Sequence, residues 1–451
     1  MNSDATLLRN AILPLTGGPT DFDALIDRAK GKEVVLLGEA SHGTHEFYRI
    51  RAEITKRLIR EGGFHAVAVE ADWPDAHRIN RYVRGTGRDS EAIEALAGFR
   101  RFPQWMWRNT DVLDFVGWLR NWNESVADHE RKGMPVQGAV AGFYGLDLYS
   151  LNASIKAVLD YLRENDPEAA KRIAERYGCF EQFGGDTRRY GLLAGSGMSG
   201  DCQRQVISAL VELHGRKSTI LGKDGAKASD EFFDADQNAR LIRNAEEYYR
   251  TMFRQDVSSW NLRDQHMMQT LLLLREHLTK NHSSARIVVW AHNSHLGNAA
   301  ATSMGARGEF NIGQLVREHF GSNSLAVGFT THHGTVTASS DWDGPAERKR
   351  VRPGLEGSYE KLFHDTGVPN FWLDCHSDPE ITALLRRTRM ERAIGVIYRP
   401  DTELQSHYFR SSLPDQFDAI LHYDETRAVE PLERTVEWEA GEVDETYPSG
   451  L

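Results

Sequence analysis

Two short stretches concentrate the groups that could do chemistry. In VVLLGEASHGTHEFYRIRAEI (34–54), an apolar run ends at Glu39, and His42, His45 and Glu46 follow at once. In RIVVWAHNSHLG (286–297), a second apolar run ends at His292, with His295 three residues on. Imidazole and carboxylate side chains within hydrogen-bond reach can take up and return a proton near neutral pH. The run AVAVEA (66–71) adds Glu70, followed by Asp72, Trp73, His77 and Arg78, and AVAGFYGLD (139–147) ends in Asp147. SLAVGFT (324–330) leads into His332 and His333. GxSxG and GxxxxGK[ST] do not occur, and no cysteine stands near a plausible histidine partner. This residue set points to a water activated by histidine and carboxylate, in preference to a covalent serine.

The elements that must position these groups are short β-branched runs separated by helical patterns. Strands are expected at 33–39, 66–71, 139–147, 286–292, 324–330, 370–375, 392–398 and 418–424. Several are continuously apolar, as strands buried on both faces are. Helices are expected at 44–61 and 110–124. The class is α/β, with a largely parallel central sheet flanked by helices and a large helical insertion. Residues 1–150 form the first part of the core, 151–285 the insertion, 286–430 the second part of the core and 431–451 an acidic, loosely ordered tail. In open α/β sheets ligands bind beyond the carboxyl ends of strands, where these ionisable groups fall.

The helix after Glu39 has an apolar stripe, Phe47, Ile50, Ile54 and Leu58, at helical spacing. Arg51 lies on or beside that stripe. A buried guanidinium needs a carboxylate partner, and Glu39 or Glu70 could supply it; a purely structural ion pair is the alternative. GSGMSG (195–200) matches GxGxxG but lacks the preceding strand and the acidic residue of a dinucleotide site, so it reads as a loop between helices. Aromatic-rich FRRFPQWMWRNTDV (99–112) reads either as a pocket wall or as core.

The 451 residues carry 40% apolar and 26% charged side chains and a net charge of −11. Bulk attraction to nucleic acid or to anionic membrane is therefore not expected. The three cysteines are too few and too scattered for a disulfide framework or zinc cage, which suits a reducing compartment. The N-terminus lacks a signal-peptide pattern and no run is long and apolar enough to span a membrane. A cytoplasmic location is expected.

GEASHGTHEFYRIRAEITKRLI, AVEADWPDAHRINRYVRG and WAHNSHLGN, together with RFPQWMWRN and SWNLRDQHM, resemble the erythromycin esterase family, which includes bacterial homologues linked to succinoglycan biosynthesis. The resemblance covers roughly residues 20 to 430. It implies an α/β core with a helical insertion, hydrolysis of an ester or lactone by water, and a functional set of Glu39, His42, Arg51, Glu70, His292 and His295. Macrolide cleavage is one implied activity, and the natural substrate stays open.

On this reading His42 is the general base, Glu70 or Glu39 orients it, and His292 and His295, helped by Arg51, bind the carbonyl oxygen or leaving group. Trp73, Arg78, Trp105, Trp107 and His332 are expected to line the substrate pocket. No cofactor is expected to be required, because the Arg51 charge would repel a dication. The alternative is a metal-dependent hydrolase with zinc or manganese on Glu39, His42, His292 and His295. A non-catalytic sensor that binds a small ligand in the same cleft is the other alternative.

Overall fold

A computed structural model of the chain describes residues 3–134, 138–217, 225–253, 256–280 and 284–441. Its strands are β1 (Leu13–Pro14), β2 (Val34–Leu37), β3 (Ala66–Asp72), β4 (Gly142–Asp147), β5 (Ile287–Trp290), β6 (Ser324–Ala338), β7 (Glu347–Val351), β8 (Asn370–Asp374), β9 (Arg389–Arg392), β10 (Tyr408–Ser411) and β11 (Ala419–Thr426). Nine of them form one sheet in the order β1-β8-β11-β6-β2-β5-β3-β4, with β7 paired to β6. From β11 to β4 every pairing is parallel; β1, β7 and β8 are antiparallel additions. The class is thus α/β with a mostly parallel sheet.

Continuous apolar runs make the central strands because both faces are covered. Val34 and Leu36, Ala66 and Ala68, and Ile287 and Val289 face one core. Val35 and Leu37, Val67 and Val69, and Val288 and Trp290 face the other. The first core takes in the insertion, whose helices include Leu151–Asn165, Pro167–Tyr177, Gln203–Gly215, Gly225–Thr251 and Asp256–Thr279. The second is covered by helices His45–Gly62 and Thr110–Arg131. GSGMSG runs from the end of helix Thr187–Gly195 into an irregular segment.

Several expectations are corrected. Residues 392–398 do not form a sheet strand. Ile394 and Ile397 make isolated bridges to Ser41 and Ser339, and Ile394 and Tyr398 close a small separate core with Val336, Ala338 and Val351. An apolar run satisfies its burial there without a ladder. The segment after residue 430 is not wholly a loose tail: Trp438, in helix Val436–Ala440, is buried and donates its indole N–H to Thr337 Oγ1 at 2.8 Å. The rest of the expected tail, 442–451, lies outside the described residues. Cys179 and Cys202 are joined by a disulfide, a pairing not expected from the cysteine count, while Cys375 is free and buried.

The two-stranded unit β9–β10 holds a carboxyl group that should report on pH. Glu391 is fully buried, accepts from Ser411 Oγ at 2.7 Å and from Gln416 Nε2 at 3.3 Å, and sits near Glu360. Burial pushes its carboxyl up to about 8, from an ordinary 4.5. The folded state therefore holds a proton that the unfolded chain releases, so this contribution is present below about pH 4.5 and is lost as pH rises through 8. Across that window the wild type should lose up to about 1.4 kcal/mol per pH unit relative to Glu391→Gln. Urea unfolding of both proteins at pH 5 and pH 8 checks this; equal slopes would refute it.

Candidate functional site

Strand register brings the two chemical stretches together. Leu37 of β2 is level with Trp290 of β5, and Trp290 with Val69 of β3. Glu39, His292 and Glu70 thus leave the sheet at nearly the same height. The helix after β2 covers one face of the sheet, and the helix after β5, Ile312–Phe320, covers the other. The chain departs in opposite directions from adjacent strands, the topology that opens a crevice at the sheet's carboxyl edge.

The loop after β2 is held too tightly for other residues at two positions. A Cβ on Gly38 would stand 2.1 Å from Asn293 Oδ1, and one on Gly43 would stand 1.8 Å from the Thr337 carbonyl oxygen. Between them, Glu39 and His42 are fixed from several sides. His42 Nδ1 lies 2.9 Å from Glu39 Oε1, and Arg51 Nη2 lies 2.5 Å from Glu39 Oε2. Arg51 is fully buried and sits over the rings of Tyr48 and Trp290, with its guanidinium carbon 4.7 and 5.2 Å from their centroids. Its nitrogens make no well-directed hydrogen bond. Charge pairing and cation–π attraction are what compensate its burial. The carboxylate can only accept, so the proton of a neutral His42 sits on Nδ1 and the Nε2 lone pair is left for the cavity that His42 lines.

His292 and His295 sit on a single helical turn, Asn293–Leu296, yet point differently. His292 is its N-cap: Nδ1 accepts from the Ser294 N–H at 3.2 Å and lies 2.8 Å from Ser294 Oγ. That places the ring proton on Nε2, which is buried with the Ala40 backbone carbonyl beside it. The His292 and His42 rings are 4.8 Å apart. Burial, reinforced by His42, pushes His292 down to about 3, so it is neutral at physiological pH. His295 turns away from His42. Its Nδ1 meets Asp264 at 2.9 Å, its Nε2 meets Arg263 Nη1 at 2.9 Å, and its ring stacks on Trp260 at 4.4 Å. Burial opposes charge on His295, but Asp264 and Glu70 outweigh it and raise its pKa.

Glu70 does not orient His42. It accepts from the His292 backbone N–H at 2.9 Å and from Arg263 at 2.6 Å. An irregularity in β3 between Val69 and Asp72 accompanies this placement. Burial would raise the Glu70 carboxyl, but His295, Arg263, His42 and the His292 N–H hold it well below the usual carboxylate range. Arg263 also pairs with Asp147 at 2.7 Å.

These groups border a cavity of about 330 Å³, walled further by Asp72, Asp75, Arg101, Trp107, Tyr149 and Trp342 among others. Burial and the neighbouring Asp72 push Asp75 up to about 6. Of the residues singled out from sequence, the structure gathers His42, Glu70, His292 and His295 on the cavity, with Glu39 and Arg51 directly behind His42. Arg51 is out of reach of any substrate, so it cannot help bind a carbonyl oxygen.

Four of the five expected pocket residues are elsewhere. Trp73 is buried beneath the insertion, donating to Asp234 at 2.8 Å. Arg78 is held by both oxygens of Asp89. Trp105 is buried in the core and His332 belongs to a different cluster; Trp107 does line the cavity. Sequence reasoning missed Arg263, Asp264, Trp260, Tyr149, Arg101 and Asp75. The first three share SWNLRDQHM, which was visible only as a family-like stretch because they lie within one helix, Asp256–Thr279, far along the chain.

The family model described as erythromycin esterase matches residues 59–426. Glu70, His292 and His295 fall inside that span; Glu39, His42 and Arg51 precede it. Erythromycin esterase type II of Escherichia coli is 22% identical over 430 residues, covering 91% of this chain and 93% of that protein. A solved Bacillus cereus protein superimposes with a TM-score of 0.77 at 21% identity, over 96% of this chain and 99% of that one. A solved succinoglycan biosynthesis protein does so with a TM-score of 0.72 at 20% identity, over 95% and 97%. Among the described residues no helix is long and apolar enough to cross a membrane.

Proposed function

Since the chain belongs to the erythromycin esterase family, we propose that it is a hydrolase that opens a carboxylic ester or lactone with an activated water. The observation that carries this reading is the Glu39–His42 pair, with Arg51 behind it and the Nε2 of His42 left for the cavity. A water beside Nε2 loses a proton to His42 as it attacks the carbonyl carbon. Glu39 stabilises the imidazolium that forms, and Arg51 keeps the carboxylate aimed. His292, neutral and carrying its proton on Nε2, would donate to the oxyanion once its ring turns that N–H from the Ala40 carbonyl toward the cavity. His42 then returns its proton to the leaving oxygen as the tetrahedral intermediate collapses. His295, Glu70 and Arg263 set the position of His292 and the polarity of the wall. The cavity volume is at the small end of ligand pockets, which favours a compact ester or lactone; a macrolide would need the cleft to open wider.

No metal is required in this scheme. Two fixed guanidinium charges, on Arg51 and Arg263, already compensate Glu39 and Glu70, so a dication on Glu39, His42, His292 and His295 would have to compete with them. Incubation with a panel of lactones and esters, followed by mass spectrometry and thermal shift, tests the proposal. Acid and alcohol products are expected, at rates unchanged by excess EDTA. Thermal shift without product would favour a binding protein. Activity lost on chelation and restored by zinc or manganese would overturn the metal-free scheme.

A further inference from the structure

Away from the catalytic cavity, four histidines surround one carboxylate. His332 and His333 are consecutive on β6, and Asp424 is on β11. Thr331 pairs with Tyr423 and His333 with Glu425, so the parallel register sets Asp424 beside His332. Consecutive strand residues normally point to opposite faces. Here the Nδ1 atoms of His332 and His333 converge to 3.0 Å, next to Gly334, whose φ is +135°. Two imidazole nitrogens this close cannot both be protonated. They share one proton or one cation.

We propose that His332, His333 and Asp424 form a binding site for a divalent transition metal ion, distinct from the catalytic cavity. One ligand atom from each lies within 4.8 Å of the others. Bonds of 2.0–2.1 Å to a tetrahedral zinc put ligand atoms about 3.3 Å apart, close to the histidine pair's separation. Asp424 needs a small side-chain movement, which its partial exposure allows. The surroundings suit a ligating carboxylate, since such groups are usually held by further hydrogen bonds. His364 Nδ1 lies 2.8 Å from Asp424 Oδ1, and His422 Nε2 lies 3.4 Å from it. The His364 ring stacks on His332 at 3.8 Å. Two cations are nearby: Arg392 faces the strand's backbone, donating to the His332 carbonyl at 3.0 Å, and is paired with Glu403, and Lys361 is paired with Asp365. Two histidines and a carboxylate leave at least one coordination position for solvent or a further ligand. A bound ion would tie β6 to β11, with helix Tyr359–His364 packed against both.

The test is zinc titration of the full chain, stripped with chelator, by calorimetry and thermal shift. One ion per chain and a raised melting temperature are expected. His333→Gln and Asp424→Asn, the more exposed positions, should each weaken binding at least tenfold while melting near wild type without zinc. His42→Gln should leave binding unchanged. Absence of saturable binding would overturn the proposal. So would binding that survives both cluster variants, or binding abolished by His42→Gln, which would assign the ion to the catalytic cavity. Because no readout is turnover, failure here leaves the hydrolase reading intact.

Discussion

Replacing His42 by alanine is expected to lower turnover of any hydrolysed ester by about 10²–10⁴, with little change in KM or melting temperature. The change removes the imidazole whose Nε2 is left for the cavity and leaves the Glu39–Arg51 pair behind it in place. It takes away proton transfer, which acts in the transition state, and so should appear in kcat more than in KM. His295→Ala should behave differently. Its ring is packed on Trp260 and bonded to Asp264 and Arg263, so its loss leaves the buried Asp264 without its imidazole partner and should lower stability as well as rate. Steady-state kinetics with melting curves on both variants makes the comparison. Near-full turnover by His42→Ala would remove it as the base.

The second large effect is on stability. Arg51→Met should destabilise the fold by about 3–5 kcal/mol, because Glu39 would remain buried without its cation. The double variant Arg51→Met with Glu39→Gln should recover much of that loss, since neither charge is then left alone. It should not recover activity, because His42 would lack the carboxylate that holds its tautomer. Urea unfolding and turnover, measured on the single and double variants, separate the two roles. If Arg51→Met alone were as stable as wild type, the pair would not be the electrostatic unit described here. If the double variant regained full turnover, Glu39 would not be orienting His42.

The apolar runs alone determined that this chain builds a sheet buried on both faces, and that Glu39, Glu70 and His292 would stand at its carboxyl edge. Those conclusions follow from local order: a strand's period, its length and the residue at its end are written in consecutive positions. The stripe Phe47, Ile50, Ile54 and Leu58 similarly placed Arg51 in the interior, where it is found. Pairing was decided by tertiary structure. Glu39 and Glu70 were equivalent candidates for orienting His42 until the register of β2, β5 and β3 gave Glu70 to His292 and Arg263. Trp73, Arg78, Trp105 and His332 have the chemistry of pocket residues, yet each is claimed elsewhere by partners that only the fold brings near. Arg263 and Asp264 stand in an ordinary helix, and their meeting with His295 depends on how the insertion docks on the sheet. Side-chain type and spacing are local quantities. Which carboxylate meets which cation is a contact between different elements, fixed by packing.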